Sequence, residues 1–179
     1  MKNRLLIGWL LPLLVSCTGQ SLQQIYDAQE KKIDAFVAAQ AKDDKRVEYN
    51  GGSVRVVLTE GTSGQVLSPS GTVSFYYAGY VLSGSSISRN NLFATNSKDI
   101  ADAAGWTLTD ESIYAVTTVS LDEKDLLKGL RNGLVGVKEG EECLIVFSGK
   151  YGYGKKAAGT IPPKSALVYQ IWVESISND

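Results

Sequence analysis

Three patterns of apolar and polar positions succeed one another along this chain. The first is an apolar run, Leu5-Leu6-Ile7-Gly8-Trp9-Leu10-Leu11-Pro12-Leu13-Leu14-Val15, with Lys2 and Arg4 before it and Ser16-Cys17 at its end. It has the length of the apolar stretch of an export signal and is too short to span a membrane as a mature helix. The second is helical. After the polar tether 18–21, Leu22, Ile25, Tyr26, Ile33, Phe36 and Val37 recur at helix spacing with charged residues between them, which predicts an amphipathic helix over 21–42. Such a helix can pack on its own domain, act as a spacer, or pair with a second copy, and the pattern does not choose.

From Val47 onward the period becomes extended. Val54-Arg55-Val56-Val57-Leu58-Thr59 reads as a strand followed by the turn signal Gly61-Thr62-Ser63-Gly64. After the Ser68-Pro69-Ser70-Gly71 turn, residues 72–82 form a long run rich in aromatic and β-branched side chains, and 142–148 and 166–175 give two further strands. Between them, Leu126, Leu127 and Leu130 predict a short helix over 123–131, with Asp122, Glu123 and Asp125 placed to cap it. Many strands around one short central helix make an α+β fold, an antiparallel sheet wrapped on a helix, with an N-terminal helical extension.

Composition narrows the chemistry. With 18 Lys+Arg against 19 Asp+Glu the formal charge is −1, which argues against a nucleic-acid-binding face. There is no histidine, so Ser-His and Cys-His catalysis and His-ligated metal sites are excluded. The two cysteines, Cys17 and Cys143, form no redox motif; Cys143 sits in a strand run and reads as a buried structural thiol. Lys150, Lys155 and Lys156 lie among glycines without the spacing of a phosphate-binding loop.

Two resemblances sharpen this reading. Leu14-Val15-Ser16-Cys17 resembles the lipobox of bacterial lipoproteins, in which the Cys becomes lipidated and N-terminal. That divides the chain into a signal peptide (1–16), a lipidated Cys17 with tether and helix (17–46), and a folded domain (47–179). It implies a lipid-anchored protein of the bacterial cell envelope facing the periplasm. The domain resembles the FKBP-type peptidyl-prolyl cis-trans isomerases through four ordered blocks. They are Val73-Ser74-Phe75-Tyr76-Tyr77-Ala78-Gly79-Tyr80, the stretch from Leu126-Leu127-Lys128-Gly129-Leu130 to Gly140-Glu141, Tyr151-Gly152-Tyr153-Gly154, and Ile161-Pro162-Pro163 followed by Leu167-Val168-Tyr169.

The resemblance implies an isomerase of X-Pro bonds in exported proteins, working in an apolar aromatic pocket without cofactor or metal. Its partners would be Pro-containing polypeptide segments and, through the lipid, a membrane, with self-association through the helix 21–42 as a further use of that face. By resemblance Tyr77 and Phe93 line one wall, Leu126 and Leu127 form the rim, the latter offering its backbone N–H, and Leu130 is the floor. Tyr153 donates its hydroxyl to a substrate carbonyl, Ile161 and Tyr169 close the pocket, and 152–160 is a flap. The chain departs from the family at Ala94, where a carboxylate is usual, and at Leu130, where a Trp is usual. Residues 101–106 are an apparent insertion, and Trp106, Tyr114 or Val119 could replace a further pocket aromatic. These departures leave a second function open, a module that holds Pro-containing or unfolded segments without turning them over.

Overall fold

The computed structural model describes residues 21–62, 64–107 and 110–179. The segment 1–16 and Cys17 lie outside the described residues. Seven strands form one antiparallel sheet: β1 (Val47–Asn50), β2 (Ser53–Thr59), β3 (Thr72–Val81), β4 (Leu92–Thr95), β5 (Thr117–Ser120), β6 (Glu142–Phe147) and β7 (Leu167–Ser177). Their order is β1-β2-β6-β7-β3-β4, and β5 pairs with the first half of β3 where β4 pairs with its second half. Among the described residues three α-helices complete the fold: α1 (Leu22–Gln40), α2 (Lys98–Ala103) and α3 (Lys128–Leu134).

The period-two alternation of the central strands separates two cores. Cys143, Ile145 and Phe147 of β6 and Leu167, Tyr169, Ile171 and Val173 of β7 face α3 and join Val73 and Phe75 of β3. Leu144, Val146 and Val168, one residue out of step, face the other way and pack with Ile33, Phe36 and Val37 of α1. Burial on both faces explains why β6 reads as a continuous apolar run rather than an alternating one. The apolar stripe of α1 is therefore covered by its own sheet. Ser21 starts this helix through a capping box with Gln24.

The central helix differs from its predicted span. It starts at Lys128, not at 123, and continues to Leu134. Leu127 has an extended backbone (φ −53°, ψ 132°), and no acidic residue lies in the helix's first turn, so Asp122, Glu123 and Asp125 do not cap it. Glu123 instead accepts the Ser120 N–H at 3.0 Å and closes the turn that leaves β5. The extended Leu127 lifts Leu126 and Leu127 out of the helix and onto the edge of the concave face.

Candidate functional site

The concave face between β3, β4, β5 and α3 holds a hollow of about 450 Å³. Its walls follow from strand parity. Phe75 and Tyr77 are two residues apart on β3 and point the same way, as do Thr117 and Val119 on β5. Phe93 and Ala94 come from β4, Leu130 from α3, Tyr169 from β7, and Tyr153, Ala158, Gly159 and Ile161 from the loop between β6 and β7.

Tyr169 organises the aromatic walls. Its ring stacks on Phe147 at 6.0 Å between centroids, meets Phe93 edge-on at 5.7 Å and lies tilted 6.2 Å from Tyr77. Gly79 makes this meeting feasible. It pairs with Tyr169 on one side and Ala94 on the other, and a Cβ there would sit 2.5 Å from Phe93 Cζ and 3.2 Å from Tyr169 Cε1. The glycine two residues after Tyr77 is thus what lets two rings close over the strand.

The floor is held from below by polar groups. Ser53 Oγ donates to the Gly129 carbonyl at 2.6 Å, and Arg55 Nη1 donates to the Gly133 and Val135 carbonyls at 2.8 and 2.7 Å. The Gly129 N–H donates to the Tyr151 carbonyl at 2.8 Å, tying α3 to the loop that carries Tyr153. That loop is a series of turns: Gly154 N–H donates to Gly149, Lys164 N–H to Gly154, and Ala158 pairs with Ile161.

Among the described residues no acid or base lines the hollow, and the ionisable groups there are the phenols of Tyr77, Tyr153 and Tyr169. Burial, then proximity to Tyr153, holds the Tyr77 phenol above its ordinary value, and burial with both neighbouring phenols pushes Tyr169 well above it. These two hydroxyls stay neutral around pH 7. Tyr153 is the most open of the three, 36% exposed. Among the described residues the Leu127 N–H donates to no acceptor. The site is therefore an apolar cup with a few neutral donors at its lip, suited to binding an apolar ring and fixing the polar groups beside it.

Of the predicted residues, Tyr77, Phe93, Leu126, Leu130, Tyr153, Ile161 and Tyr169 meet around this one hollow. Leu127 packs against the core beside it without lining it. Phe75 and Thr117 line it without having been singled out as site residues, and parity with Tyr77 points to Phe75, whereas no sequence signal marks Thr117; Ala158 and Gly159 line it from the segment 152–160 expected as a flap. Among the three candidates for the further wall, Val119 takes the place. Tyr114 instead lines a separate hollow with Tyr76 and Lys98, whose Nζ lies 4.9 Å over its ring, and Trp106 borders a hollow next to the cup.

Comparison with known proteins agrees with this architecture. The family described as FKBP-type peptidyl-prolyl cis-trans isomerase matches residues 64–174. The chain is 28% identical over 129 residues to FK506-binding protein 59 of Drosophila melanogaster, covering 68% of this chain and 24% of that protein. It is 39% identical over 54 residues to the human peptidyl-prolyl cis-trans isomerase FKBP14, covering 30% of this chain and 26% of that one. The matches thus span only about a quarter of either relative. Among solved structures, a peptidyl-prolyl cis-trans isomerase from Pseudomonas syringae pv. tomato superposes with a TM-score of 0.60 at 20% identity, over 90% of this chain and 99% of that one. FkpA from Escherichia coli superposes with a TM-score of 0.57 at 22% identity, over 87% and 62%. With the matched segment covering well over half of its length and the fold shared, the chain belongs to the FKBP-type peptidyl-prolyl cis-trans isomerase family.

Proposed function

We propose that this protein accelerates rotation about X-Pro bonds, with the aromatic cup as its active site. The observation that carries the reading is a mainly apolar hollow walled by Tyr77, Phe93 and Tyr169, floored by Leu130 and, among the described residues, lined by no charged side chain. An ordinary peptide bond resists rotation by about 18–20 kcal/mol because resonance must be broken, and X-Pro bonds isomerise over tens to hundreds of seconds. The twisted transition state has lost the amide's charge separation. It is therefore stabilised, relative to the planar ground state, by apolar surroundings that give the planar dipole little solvation. The prolyl ring sits over Leu130. The Tyr153 hydroxyl and the unpaired Leu127 N–H hold the flanking carbonyls, so the chain is fixed on one side of the bond while the other turns.

The same reading extends to the whole chain. Cys17, lipidated, anchors the protein in the bacterial envelope, where stable attachment takes more than one acyl chain. The domain then meets exported polypeptides as they fold. A second reading is favoured by Ala94 and Leu130, which put a methyl and a small aliphatic side chain where the family has a carboxylate and an indole. It is a module that holds Pro-containing segments without turnover.

Exchange NMR on a short X-Pro peptide with the purified full chain, beside Tyr153→Phe and Phe93→Ala, separates the two. Acceleration that falls in both variants supports catalysis in this cup. A folded protein that binds the peptide without accelerating exchange supports the holding module.

A further inference from the structure

Against the aromatic cup lies a second hollow of about 600 Å³, and Phe93 lines both. The loop that closes the cup serves both spaces. Gly159 and Ile161 line the first, while Thr160 and Pro162, alternating with them, line the second. The two are therefore neighbouring compartments of one groove, separated by the Phe93 ring and the Ile161 side chain.

The far wall is Trp106, from the inserted segment. Its position is fixed by the end of α2. The Trp106 N–H donates to the Ala101 carbonyl at 2.9 Å and the Gly105 N–H to Asp102 at 3.0 Å, the paired bonds of a Schellman turn. Ala101 is fully buried, so the turn rests on the domain. Trp106 is half-buried, and the turn sets its backbone at the edge of the hollow.

Polar groups stand at the rim. Asn91 uses its amide nitrogen on Ser83 Oγ at 2.5 Å. Among the described residues the Asn90 side chain and the Thr160 hydroxyl make no hydrogen bond, and both are exposed. An aromatic wall on a fixed backbone turn, with free amide and hydroxyl groups beside it, suits an extended peptide, whose side chain fills the hollow and whose main chain bonds the rim.

We propose that this hollow is a second subsite for the polypeptide bound in the cup. It takes an apolar or aromatic side chain from the segment flanking the proline on one side, with Trp106 as its specificity-determining wall. The proposal rests on the prolyl reading of the cup. Because the groove leaves the cup past Phe93 in one direction, extension of the peptide is rewarded on one side of the proline only.

The test uses the full chain and three sets of peptides sharing one X-Pro core: the short core, the core extended N-terminally, and the core extended C-terminally. Each extension carries either Phe or Ser, and kcat/KM is read by exchange NMR. One extension, with Phe and not with Ser, raises kcat/KM over the short core by about tenfold, the scale of one buried aromatic contact. Trp106→Ala abolishes that gain in the long-to-short ratio, and Trp106→Phe keeps part of it, which a merely structural role for the indole would not produce. A ratio of one on both sides, equal gains on both sides, or a gain that survives Trp106→Ala overturns the subsite while leaving isomerisation of the core intact. Absence of turnover for the short core itself overturns the prolyl reading, and the subsite with it.

Discussion

The side-chain Oδ1 of Asn96 accepts the backbone N–H of Tyr77 at 2.6 Å. Its Nδ2 donates to the Ala115 carbonyl at 3.0 Å, Thr117 Oγ1 at 3.1 Å and the Phe75 carbonyl at 3.3 Å. One buried amide thus fills the gap on β3 between the β4 and β5 ladders, behind three residues that wall the cup. Asn96→Ala leaves the Tyr77 N–H without its acceptor and costs about 1–3 kcal/mol for each group stranded. Asn96→Asp keeps the acceptor but sets a buried carboxylate against two carbonyls. We expect it to be at least as destabilising near pH 7 and to recover as the carboxylate is protonated. Urea unfolding of both variants at two pH values checks this; an Asp variant as stable as the parent at pH 7 contradicts it.

Gln29 connects the N-terminal helix to the loop carrying Tyr153. Its Oε1 accepts the Gly149 N–H at 2.8 Å, and its Nε2 donates to the Lys164 carbonyl. One side chain on α1 therefore ties together both ends of the loop 149–164. Gln29→Ala removes both bonds, about 1 kcal/mol each, without touching the cup. Faster amide hydrogen exchange confined to 149–164, with the α3 amides unchanged, is the expected result. Exchange that speeds up evenly over the whole domain would instead mean that α1 stabilises the fold and not the loop in particular. Gln29→Glu keeps the acceptor for Gly149 but sets a carboxylate oxygen against the Lys164 carbonyl, so it loosens the 164 end of the loop without freeing the 149 end.

Gly129 sits in α3 directly over the Phe147 ring, where a Cβ would lie 2.2 Å from Cγ. In an exposed helix interior Gly→Ala stabilises by about 1 kcal/mol. Here the methyl must push the helix off the sheet, so Gly129→Ala destabilises by about 1–3 kcal/mol. It also displaces Leu130, and binding of a proline peptide falls with stability. Phe147→Leu alone opens a cavity, yet combined with Gly129→Ala it makes room for the methyl. The double variant is therefore more stable than the sum of the two single costs allows, a coupling that denaturant melts measure. Additive costs would show that the close approach does not govern the site.

Much of this was legible in the sequence because β3 and β7 are long and the four motif blocks fall in order on the elements that build the site. The aromatic and β-branched run over 72–82 gives β3 its span, the family resemblance points to Tyr77 as a wall residue, and the Ile33, Phe36 and Val37 spacing gives α1. What was not legible depends on contacts distant along the chain. Nothing local marks Ser53 and Arg55 among the valines of β2 as buried, yet both are, because the Gly129, Gly133 and Val135 carbonyls lie over them. The start of α3 was misplaced because Leu126 and Leu127 satisfy a helical pattern while occupying an extended rim. Trp106 could not be assigned to either hollow, since its place depends on how the insertion turns at the end of α2. The side of the sheet that α1 covers is likewise set by the outward residues of β6, which a run apolar at every position does not distinguish.

Arg55 and Glu141 form a buried ion pair, Nε to Oε1 at 3.2 Å, with side chains 2% and 0% exposed, and the two are not equivalent. Arg55 also donates to two carbonyls of α3 and to Glu48, so Arg55→Ala strands the end of the floor helix and leaves the buried Glu141 carboxylate to Arg46 alone, whose Nη2 lies 3.0 Å from Oε2. That loss is about 3–5 kcal/mol. For Glu141, burial outweighs the attraction of Arg55 and Arg46 and lifts its carboxyl above the ordinary value of 4.5. The folded state thus holds this proton more tightly than the unfolded state does. The contribution of Glu141 to stability is then greatest below about pH 4.5 and declines as pH rises through the higher folded value. Glu141→Gln resembles the protonated side chain, so near neutral pH it costs much less than Arg55→Ala, about 1 kcal/mol or less. Its stability-against-pH curve lacks the decline that the parent shows. Unfolding free energies measured from pH 4 to 8, a range of about 4 units chosen to bracket the carboxylate range, decide the matter. Equal costs for the two variants, or a parallel pH slope in Glu141→Gln, would show that the guanidiniums and not burial dominate this carboxylate.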